Sequence, residues 1–407
     1  MYYSLCKNVY LVKGIRRSCI YDFNTLRLYS LSNALANVID LANNGKLDVD
    51  QEDENLCGVL KDFVKLGILH STEVPISRSI EELKKELKTK FAWIEITNRC
   101  NLRCRHCYNK SEPHCQNVMS LSDFKLVIDS LLKIGVQRIQ LIGGEPFFEK
   151  TLLKDMLDYV VGKFHFIEIF TNGTLITQDW VNYIAKNKIH VALSVYSYNE
   201  YDHDRVTTVA GSWEKTNITI KKLREKNVRY RVCNILMKNI ATGTKQNDLY
   251  DLSKKQDIVR MSGRANFSLL TDDLIRKKLI TKSTFSKPLR KSLCVAMISG
   301  HNCFKTKIYI SANMEIYPCV MERRLKHGVI NEQGITLDNS ILNFNKDSIH
   351  ECCNCEFRYT CFDCRPNSLS GDVFEKPWYC TYNPAEGKWE DSEAFIKKLR
   401  AKWGESF

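Results

Sequence analysis

The sequence lacks the features of membrane, secreted and repeat proteins. No run of about 18 apolar residues occurs in its 407 residues, so no membrane-spanning helix is expected. The opening segment MYYSLCKNVYLVKG has no charged region followed by an apolar core, which argues against a secretory signal. Internal repeats with periods of about 20–50 residues are missing, as are a zinc knuckle and paired RNP motifs. We therefore expect a cytoplasmic protein that contacts neither membrane nor nucleic acid.

The composition is that of an ordinary globular protein. Hydrophobic residues make up 44% and charged residues 26% of the chain, which excludes a disordered, collagen-like or coiled-coil protein. At roughly 150 residues per domain, the length predicts two or three domains. Lysine and arginine number 60 against 47 aspartates and glutamates, a net charge of +13. This excess favours an acidic partner, and the alternative is that it serves solubility alone.

Cysteine is abundant, with 17 residues that are strongly clustered. In a chain without an export signal, clustered cysteines indicate metal binding or redox chemistry rather than a disulfide scaffold. One group lies near residue 100, and another occupies thirteen positions near residue 360: Cys100, Cys104 and Cys107; Cys352, Cys353, Cys355, Cys361 and Cys364.

The chain divides by pattern into four segments. Residues 1–78 predict a small winged-helix-like domain, and residues 79–88 a charged linker helix. Residues 89–285 alternate strand-like and helix-like stretches, which predicts a parallel sheet in a partial (β/α)6 barrel with its site at the carboxyl ends of the strands. Residues 286–407 predict a loop-rich domain held by metal centres. The fold class is therefore α/β with two small appended domains.

Particular stretches carry these expectations. In the first segment, the predicted strands are Asn8–Val12 and Ser18–Tyr29, and the predicted helices are Ala34–Leu41 and Leu56–Leu66. In the barrel, the predicted strands are Ala92–Ile96, Ile139–Ile142, Phe166–Phe170, Val191–Val195 and Tyr230–Leu236. The predicted barrel helices are Ser122–Leu132, Leu152–Val161, Gln178–Lys186 and Ser212–Lys226.

Three cysteines follow the first predicted barrel strand with the spacing Cys100-x3-Cys104-x2-Cys107. Three thiolates on one loop can hold three irons of a cubane cluster, which leaves the fourth iron open to a small molecule. Zinc remains the rival metal for the CxxC pairs of the chain.

The stretch ITNRCNLRCRHCYNK around these cysteines resembles the signature loop of radical S-adenosylmethionine (SAM) enzymes. The resemblance implies a 4Fe-4S cluster whose open iron binds SAM, and cleavage of SAM by one electron to a 5′-deoxyadenosyl radical. His106 would pack near the adenine, with a catalytic imidazole as the alternative role.

Other segments resemble the same family in the same order. Gly143, Gly144 and Glu145 would meet the amino group of the methionine, and Asn172 and Ser194 would lie near the ribose and carboxylate. Arg205 would reach the carboxylate, to which an arginine fork is suited. An ordinary structural role is the alternative for Ser194 and Arg205.

The C-terminal cysteines resemble the SPASM domain of peptide-modifying radical enzymes, although one spacing is a residue shorter and Met314 replaces a glycine. The resemblance implies two auxiliary 4Fe-4S clusters, with Cys353 as a spare or exchangeable ligand. One cluster would be held by Cys294, Cys303, Cys319 and Cys364, and the other by Cys352, Cys355, Cys361 and Cys380.

The first 78 residues resemble, more loosely, the precursor-recognition element of maturases of ribosomally synthesised peptides (RiPPs), which bind a leader peptide as an added strand. The implied partners are a precursor peptide with an acidic leader and an electron donor such as flavodoxin or ferredoxin. ATP-grasp or transporter proteins are implied as genomic neighbours.

The expected function is hydrogen abstraction from a precursor peptide, followed by a carbon–carbon or thioether cross-link or by epimerisation. One alternative is a sulfatase-maturating enzyme, although Val320 stands where that family has an acid and Glu322 is the nearest carboxylate. Another is a non-catalytic peptide- or RNA-binding relative. The catalytic acid or base is not assigned. Cys115 is a minor candidate for an active-site thiol, and ordinary buried thiols are expected at Cys6, Cys19, Cys57 and Cys233.

Overall fold

The computed structural model describes residues 2–47, 54–243, 248–254, 256–365 and 369–403, so the remaining parts of the predicted segments lie outside it. The chain forms two compact units. The first comprises Met1–Glu86, Leu279–Asn302 and Asn343–Lys397, and the second Leu87–Lys278, Cys303–Leu342 and Lys398–Phe407. No helix in the described ranges is both long and apolar enough to span a membrane. The four-segment domain division remains a prediction.

The strands are short and are numbered along the chain. They are β1 Tyr2–Leu5, β2 Val9–Lys13, β3 Arg17–Asp22, β4 Arg27–Ser32, β5 Leu69–Thr72, β6 Phe91–Thr97, β7 Arg138–Gly143, β8 Phe166–Thr171, β9 His190–Ser194, β10 Tyr230–Leu236, β11 Gln256–Ile258, β12 Lys307–Ile310, β13 Ile316–Tyr317, β14 Gly328–Asn331, β15 Gly334–Leu337, β16 Tyr382–Asn383 and β17 Lys388–Trp389.

The α-helices are numbered in the same way, and short 3-10 helices occur between them. The α-helices are α1 Asn33–Asn43, α2 Glu54–Lys65, α3 Leu121–Lys133, α4 Lys150–Val160, α5 Gln178–Lys186, α6 Glu200–Thr207, α7 Ser212–Glu225, α8 Asp272–Lys278, α9 Lys291–Ile298, α10 Asn302–Lys305, α11 Asn339–Leu342 and α12 Ser392–Trp403.

The second unit is built on a ten-stranded sheet in the order β11-β10-β9-β8-β7-β6-β12-β13-β14-β15. Strands β6 to β11 are parallel neighbours in chain order, as in a barrel and unlike a doubly wound sheet. The sheet has two edges, so it does not close. The predicted α/β fold is confirmed, and each barrel strand predicted from the sequence agrees with an observed strand to within one residue at either end.

Local chemistry explains why these helices begin where they do. Ser120 and Thr177 accept hydrogen bonds from the third residues of α3 and α5, Asp123 and Trp180, as helix-capping side chains do. The apolar faces of α3, α4, α5 and α7 pack on the sheet in one core of fully buried side chains. This core fixes the strands and thereby the loops at their carboxyl ends.

Strands β12 to β15 were not predicted as part of the barrel sheet. Strand β12 pairs with β6 in parallel, and β13, β14 and β15 continue the sheet as antiparallel strands. The sequence beyond residue 286 carried no periodicity that linked it to the barrel, because strands of 2 to 4 residues are too short to show one.

The described part of the first unit contains three small antiparallel sheets, β2-β3-β4, β1-β5 and β16-β17. The single strand predicted over Ser18–Tyr29 is wrong, because a turn divides it into β3 and β4. Asp22 accepts hydrogen bonds from the backbone N–H groups of Asn24 and Thr25, and Leu26 adopts a φ of 58°. Together these features form the turn that ends β3.

The predicted linker helix over residues 79–88 is also wrong in extent. A 3-10 helix covers Ile80–Leu83, with Ser79 and Glu82 forming a capping box at its start. Lys84 is extended, so the helix ends after one turn. Ile80 and Leu83 are buried in a core with Tyr21 and Phe357, and this packing, rather than helical propensity, determines the segment.

Candidate functional site

A cavity of about 570 Å³ lies at the carboxyl ends of the parallel strands in the second unit. The loop after β6 lies on it, together with the ends of β7, β8 and β9. The predicted residues on its wall are Cys100, Cys104, His106, Cys107, Gly143, Gly144, Asn172 and Ser194. The structure thus brings together eight predicted site residues that are separated by up to 94 positions in the chain, since 194 − 100 = 94.

Backbone hydrogen bonds hold the cysteine loop from two sides. The N–H groups of Arg103 and Arg105 donate to the carbonyls of Thr207 and Val206 at the end of α6, over 3.1 and 2.9 Å. On the other side, the Arg264 N–H donates to the Cys107 carbonyl over 3.0 Å. The positions of the three thiols are therefore fixed by main-chain contacts that sequence motifs do not report.

The two glycines after β7 are required by close packing against the cysteine loop. A Cβ at Gly143 would overlap the Thr97 carbonyl, and a Cβ at Gly144 would overlap the Arg99 carbonyl. The Gly144 N–H donates to the Thr97 carbonyl over 2.8 Å. We predicted that these glycines let the backbone approach a ligand closely. In the structure they also let the turn pack directly against the cysteine loop.

Glu145 is fully buried and does not belong to the cavity wall among the described residues. Its carboxylate accepts hydrogen bonds from the Thr171 hydroxyl and from the N–H groups of Asn172 and Phe147. Burial raises the pKa of Glu145 to about 7, and these hydrogen bonds oppose that rise. In this structure Glu145 orients Asn172 and starts the 3-10 helix Pro146–Glu149.

The other predicted residues form a polar rim around the thiols. Asn172 lies 3.9 Å from Cys100 Sγ through its Nδ2, which also donates to Asn101. Tyr196, which we did not predict, lies on the cavity wall, where its side chain interacts with those of Cys104 and Ser194. Tyr196 lies two residues beyond β9, so its position at a strand end was the available signal.

His106 packs against Tyr196 in a T-shaped contact with 4.9 Å between ring centroids. Burial lowers the pKa of His106 to about 4, so its imidazole is neutral near pH 7. This environment agrees with the predicted packing role better than with a proton-transfer role.

Several buried polar atoms on the cavity wall have no hydrogen-bond partner in the described part of the protein. They are His106 Nδ1, Ser111 Oγ and both side-chain polar atoms of Asn234. Buried polar groups are nearly always satisfied, so these atoms indicate a polar ligand. Ser111 and Asn234 carried no sequence signal.

The three thiols fit a metal cluster electrostatically. Burial, with the neighbouring Cys107 adding to it, raises the pKa of Cys104 to about 12. Burial also raises the pKa of Cys100, with added effects from Glu145 and the other two cysteines. Deprotonated thiolates in this place therefore need a cationic partner, which iron supplies.

Arg205 differs from its predicted role. Its Nη1 lies 3.3 Å from Asp202 Oδ1 and donates to the Asn239 carbonyl, and the cavity wall formed by described residues does not include it. The neighbouring residues Val206 and Thr207 instead hold the cysteine loop. The placement of Arg205 agrees with the structural alternative.

The thiol expectations also change. Cys233, expected to be an ordinary buried thiol, lines the cavity, and Arg231 Nη1 lies 2.7 Å from its Sγ. Cys115 is half-buried and is not among the described residues of the cavity wall. Cys19 is fully buried in the core of the first unit, as expected, whereas Cys6 and Cys57 are half-buried.

A second, much smaller cavity of about 20 Å³ lies in the first unit. Four thiols face it, and they are the set predicted for one auxiliary cluster: Cys352, Cys355, Cys361 and Cys380. Cys353 is not on the described part of this wall, which favours Cys352 as the inward-facing member of the pair.

Among the described residues, no three His, Cys, Asp or Glu side chains converge as the ligands of one metal ion do. Ligands of a cubane cluster bind separate irons, so their sulfur atoms need not converge on one point.

The other predicted set is divided between the units. Cys294 and Cys364 belong to the first unit, and Cys303 and Cys319 to the second. Cys294 is fully buried, and the Cys364 N–H donates to the Tyr379 hydroxyl. Burial raises the pKa of Cys303, and the adjacent Cys319 adds to that rise. Their joint ligation of one cluster remains a prediction.

The chain is similar in sequence to known proteins. Residues 94–244 match the model of the Radical SAM superfamily. The chain is 32% identical over 228 residues to the subtilosin biosynthesis protein AlbA of Bacillus subtilis, which covers 55% of this chain and 48% of AlbA. It is 28% identical over 177 residues to a cysteine-type anaerobic sulfatase-maturating enzyme of Clostridium novyi, covering 40% and 46%.

The fold is also similar to a solved structure. SuiB of Streptococcus suis, crystallised with its precursor peptide SuiA, matches with a TM-score of 0.51 at 14% identity, over 90% of this chain and 96% of SuiB. At that identity the likeness concerns the fold. The chain spans about half the length of the curated relatives that it matches.

Proposed function

Because residues 94–244 form a radical SAM domain, we propose that this protein is an enzyme that modifies a ribosomally made precursor peptide. The observation that carries the proposal is the convergence of Cys100, Cys104 and Cys107 on one large cavity with unsatisfied polar atoms. A 4Fe-4S cluster and SAM, when bound there, would supply one-electron cleavage and hydrogen abstraction.

The protein's own residues would hold and orient these groups. Gly143 and Gly144 let the turn after β7 lie against the cysteine loop, and Asn172 is aimed at Cys100 by Glu145. His106 and Asn234 would donate to or accept from the cofactor or the peptide, because their polar atoms lack protein partners among the described residues. Arg205 has no part in this proposal.

The four thiols around the small cavity would hold an auxiliary 4Fe-4S cluster with four protein ligands. Such a cluster has no open iron, so its role would be electron transfer rather than substrate binding. Cys294, Cys303, Cys319 and Cys364 are proposed as the ligands of a second auxiliary cluster.

Two observations support a peptide as the substrate. AlbA is named for bacteriocin biosynthesis, and SuiB was solved with a precursor peptide. The chain carries a net charge of +13, which suits an acidic leader.

In the first unit, β4 is an edge strand that pairs with β3 and carries the exposed side chain of Arg27. A leader could add to this edge through main-chain hydrogen bonds.

The sulfatase-maturase alternative is less well supported by the local chemistry. The residue after Cys319 is Val320, which lines the large cavity. Glu322 is fully buried and forms a two-point ion pair with Arg324, so its carboxylate is already engaged. The non-catalytic alternative does not require the three clustered thiols that the chain retains.

The proposal includes the remaining partners inferred from the sequence. An electron donor such as flavodoxin or ferredoxin would reduce the clusters, and ATP-grasp or transporter proteins would act on the same peptide. The reducing cytoplasm is the proposed location, since it keeps free thiols available for cluster assembly.

The experiment that tests the peptide substrate is co-expression with each short, acidic-leader reading frame adjacent to the gene. Mass spectrometry of the peptide should show loss of two hydrogens for a carbon–carbon or thioether link. An unchanged mass with an inverted α-carbon would indicate epimerisation. An unmodified peptide in every case would contradict the proposal, and the variant with Cys100, Cys104 and Cys107 all changed to alanine is the negative control.

The leader-binding edge has its own test. Arg27→Glu on β4 should weaken binding of an acidic leader peptide several-fold, and added salt should reduce the difference. Arg224→Glu is the matched control, because it makes the same charge change at an exposed position of the second unit. Equal affinities for the two variants would refute the leader-binding role of this edge.

A further inference from the structure

A lysine is buried beside the four thiols of the small cavity. Lys346 is 1% exposed, begins the 3-10 helix Lys346–Ser348 and lines this cavity together with the cysteines. Its Nζ lies 2.7 Å from Asp363 Oδ1. A buried ammonium is strongly unfavourable unless negative charge surrounds it, so its environment needs an explanation.

Asp363 does not serve Lys346 alone. The same carboxylate forms an ion pair with Arg365 and lies 3.3 Å from His301 Nε2. Among the described residues, one buried carboxylate is therefore shared by two cations, and no other acid forms an ion pair with Lys346.

A second lysine on the same cavity shows the contrast. Lys376 is partly exposed and forms an ion pair with Glu351 over 2.6 Å. That pair adds little net charge to the cavity, and water screens it in part. Lys346 is the deeper of the two and is screened far less.

The four thiols supply the negative charge that Lys346 requires. Cys352, Cys355, Cys361 and Cys380 line the same small cavity as Lys346. A 4Fe-4S cluster held by four thiolates is an anion overall, and each added electron makes it more negative. A buried positive charge beside it stabilises the reduced form more than the oxidised form.

We propose that Lys346 raises the reduction potential of the cluster held by Cys352, Cys355, Cys361 and Cys380. Lys346 is thus a positioning residue for electron transfer, since it acts through the cluster. The proposal rests on the proposed function, since it assumes that this cluster assembles. The electron enters from the donor protein or a chemical reductant, and no bond is made or broken. Lys346 makes this cluster a better electron acceptor than the four thiols alone would make it.

The test is a redox titration of the full-length protein followed by electron paramagnetic resonance. Cys100, Cys104 and Cys107 are changed to alanine to remove the first cluster, and the signal of interest is the one that Cys361→Ala abolishes. In this background Lys346→Met should lower the midpoint potential. The ratio of reduced to oxidised cluster at a fixed potential should fall about tenfold. This corresponds to a decrease of about 59 mV in the midpoint potential of a one-electron couple. Lys346→Arg should stay near the parent value.

Lys388→Met is the matched control, because it removes the same charge from an exposed position beside Trp389, another residue on this cavity. It should leave the potential unchanged. A potential for Lys346→Met equal to that of the parent, at full iron content, would overturn the proposal. Equal loss of this cluster's iron in Lys346→Met and Lys346→Arg would also overturn it, since packing rather than charge would then matter. A parent protein without any signal sensitive to Cys361→Ala would instead contradict the proposed cluster.

Discussion

The two cysteine-lined cavities differ in size, in the arrangement of their thiols and in surroundings. The cavity in the second unit measures about 570 Å³ and is lined by three thiols of one loop and by Cys233 of β10. The cavity in the first unit measures about 20 Å³ and is faced by four thiols. The larger has unsatisfied polar atoms such as those of Asn234, and the smaller has a buried cation, Lys346.

This difference assigns different chemistry to the two places. Three ligands and ample space leave an iron and a volume for a small molecule, as an activating site requires. Four ligands and little space leave neither, so the smaller cavity can hold a cluster that exchanges electrons only. The proposed chemistry therefore follows from the number of proposed cluster ligands and the volume beside them.

Loss of a ligand to the first cluster should have the largest effect. Cys104→Ala should reduce SAM cleavage to the assay background, because two thiolates cannot retain a cubane cluster with one open iron. Cys115→Ala should cleave SAM like the parent protein, since Cys115 lies on the same loop but not on the described cavity wall. Release of 5′-deoxyadenosine, measured by liquid chromatography, checks both. Parent-like activity in Cys104→Ala would remove the distinction between the two cavities.

A ligand change at the smaller cavity should separate the two functions. Cys361→Ala should lose about four irons per chain and stop peptide modification, yet still cleave SAM without coupling. Cys353→Ala should retain its iron, because Cys353 does not face the described part of this cavity. Iron analysis and peptide mass spectrometry are the measurements. Equal iron loss in both variants would show that Cys353 is a ligand.

A stability effect of intermediate size is expected at the turn that grips the cysteine loop. Gly144→Ala should destabilise the protein by about 1–3 kcal/mol, because the new methyl group would overlap the Arg99 carbonyl. Gly58→Ala on α2 should stabilise it by about 0.5–1 kcal/mol, since no heavy atom of the described residues, apart from its chain neighbours and the backbone of α2, lies within 4 Å of the added carbon. Denaturant unfolding compares the two, and a neutral Gly144→Ala would contradict the described packing.

Acid should destabilise the folded protein through a buried histidine that contacts Tyr196 on the wall of the larger cavity. His203 accepts a hydrogen bond from the Tyr196 N–H, and burial lowers the pKa of His203 to about 4, against about 6.5 when unfolded. The unfolded state therefore binds more protons between these values, and stability falls as the pH drops from about 6.5 to 4, by up to about 3 kcal/mol.

The His203→Gln variant should lose less stability over that pH range, whereas His165→Gln, at an exposed position, should behave like the parent protein. Thermal unfolding at several pH values provides the readout. Identical pH profiles for His203→Gln and the parent would mean that His203 is not the acid-sensitive group.

The sequence predicted the elements whose chemistry is local. The five barrel strands follow from apolar runs, and the cysteine loop follows from its spacing. The break of β3 and β4 at Leu26 was missed, because its positive φ is unusual for leucine. Residues 79–88 were overestimated as a helix, because their charge pattern suits one while burial of Ile80 and Leu83 ends it early.

Site residues were predictable where a motif marked them and not where tertiary packing did. Tyr196 and Cys233 reach the cavity because β9 and β10 lie next to each other, and no spacing rule connects them to Cys104. The contact of Arg205 with Asp202 was not predictable for the same reason, since tertiary packing rather than its motif determines it. Lys346 and Asp363 form an ion pair although they are 17 positions apart in the chain, since 363 − 346 = 17. No sequence pattern predicts this buried pair.

The most direct test of the central claim is whether the cluster of the larger cavity binds SAM. The protein with Cys361 and Cys303 changed to alanine should assemble that cluster anaerobically, and reduction should give an electron paramagnetic resonance signal. Addition of SAM should change the line shape of this signal, because the cofactor becomes a ligand of the open iron. An identical spectrum with and without SAM, at full occupancy of the cluster, would contradict the account.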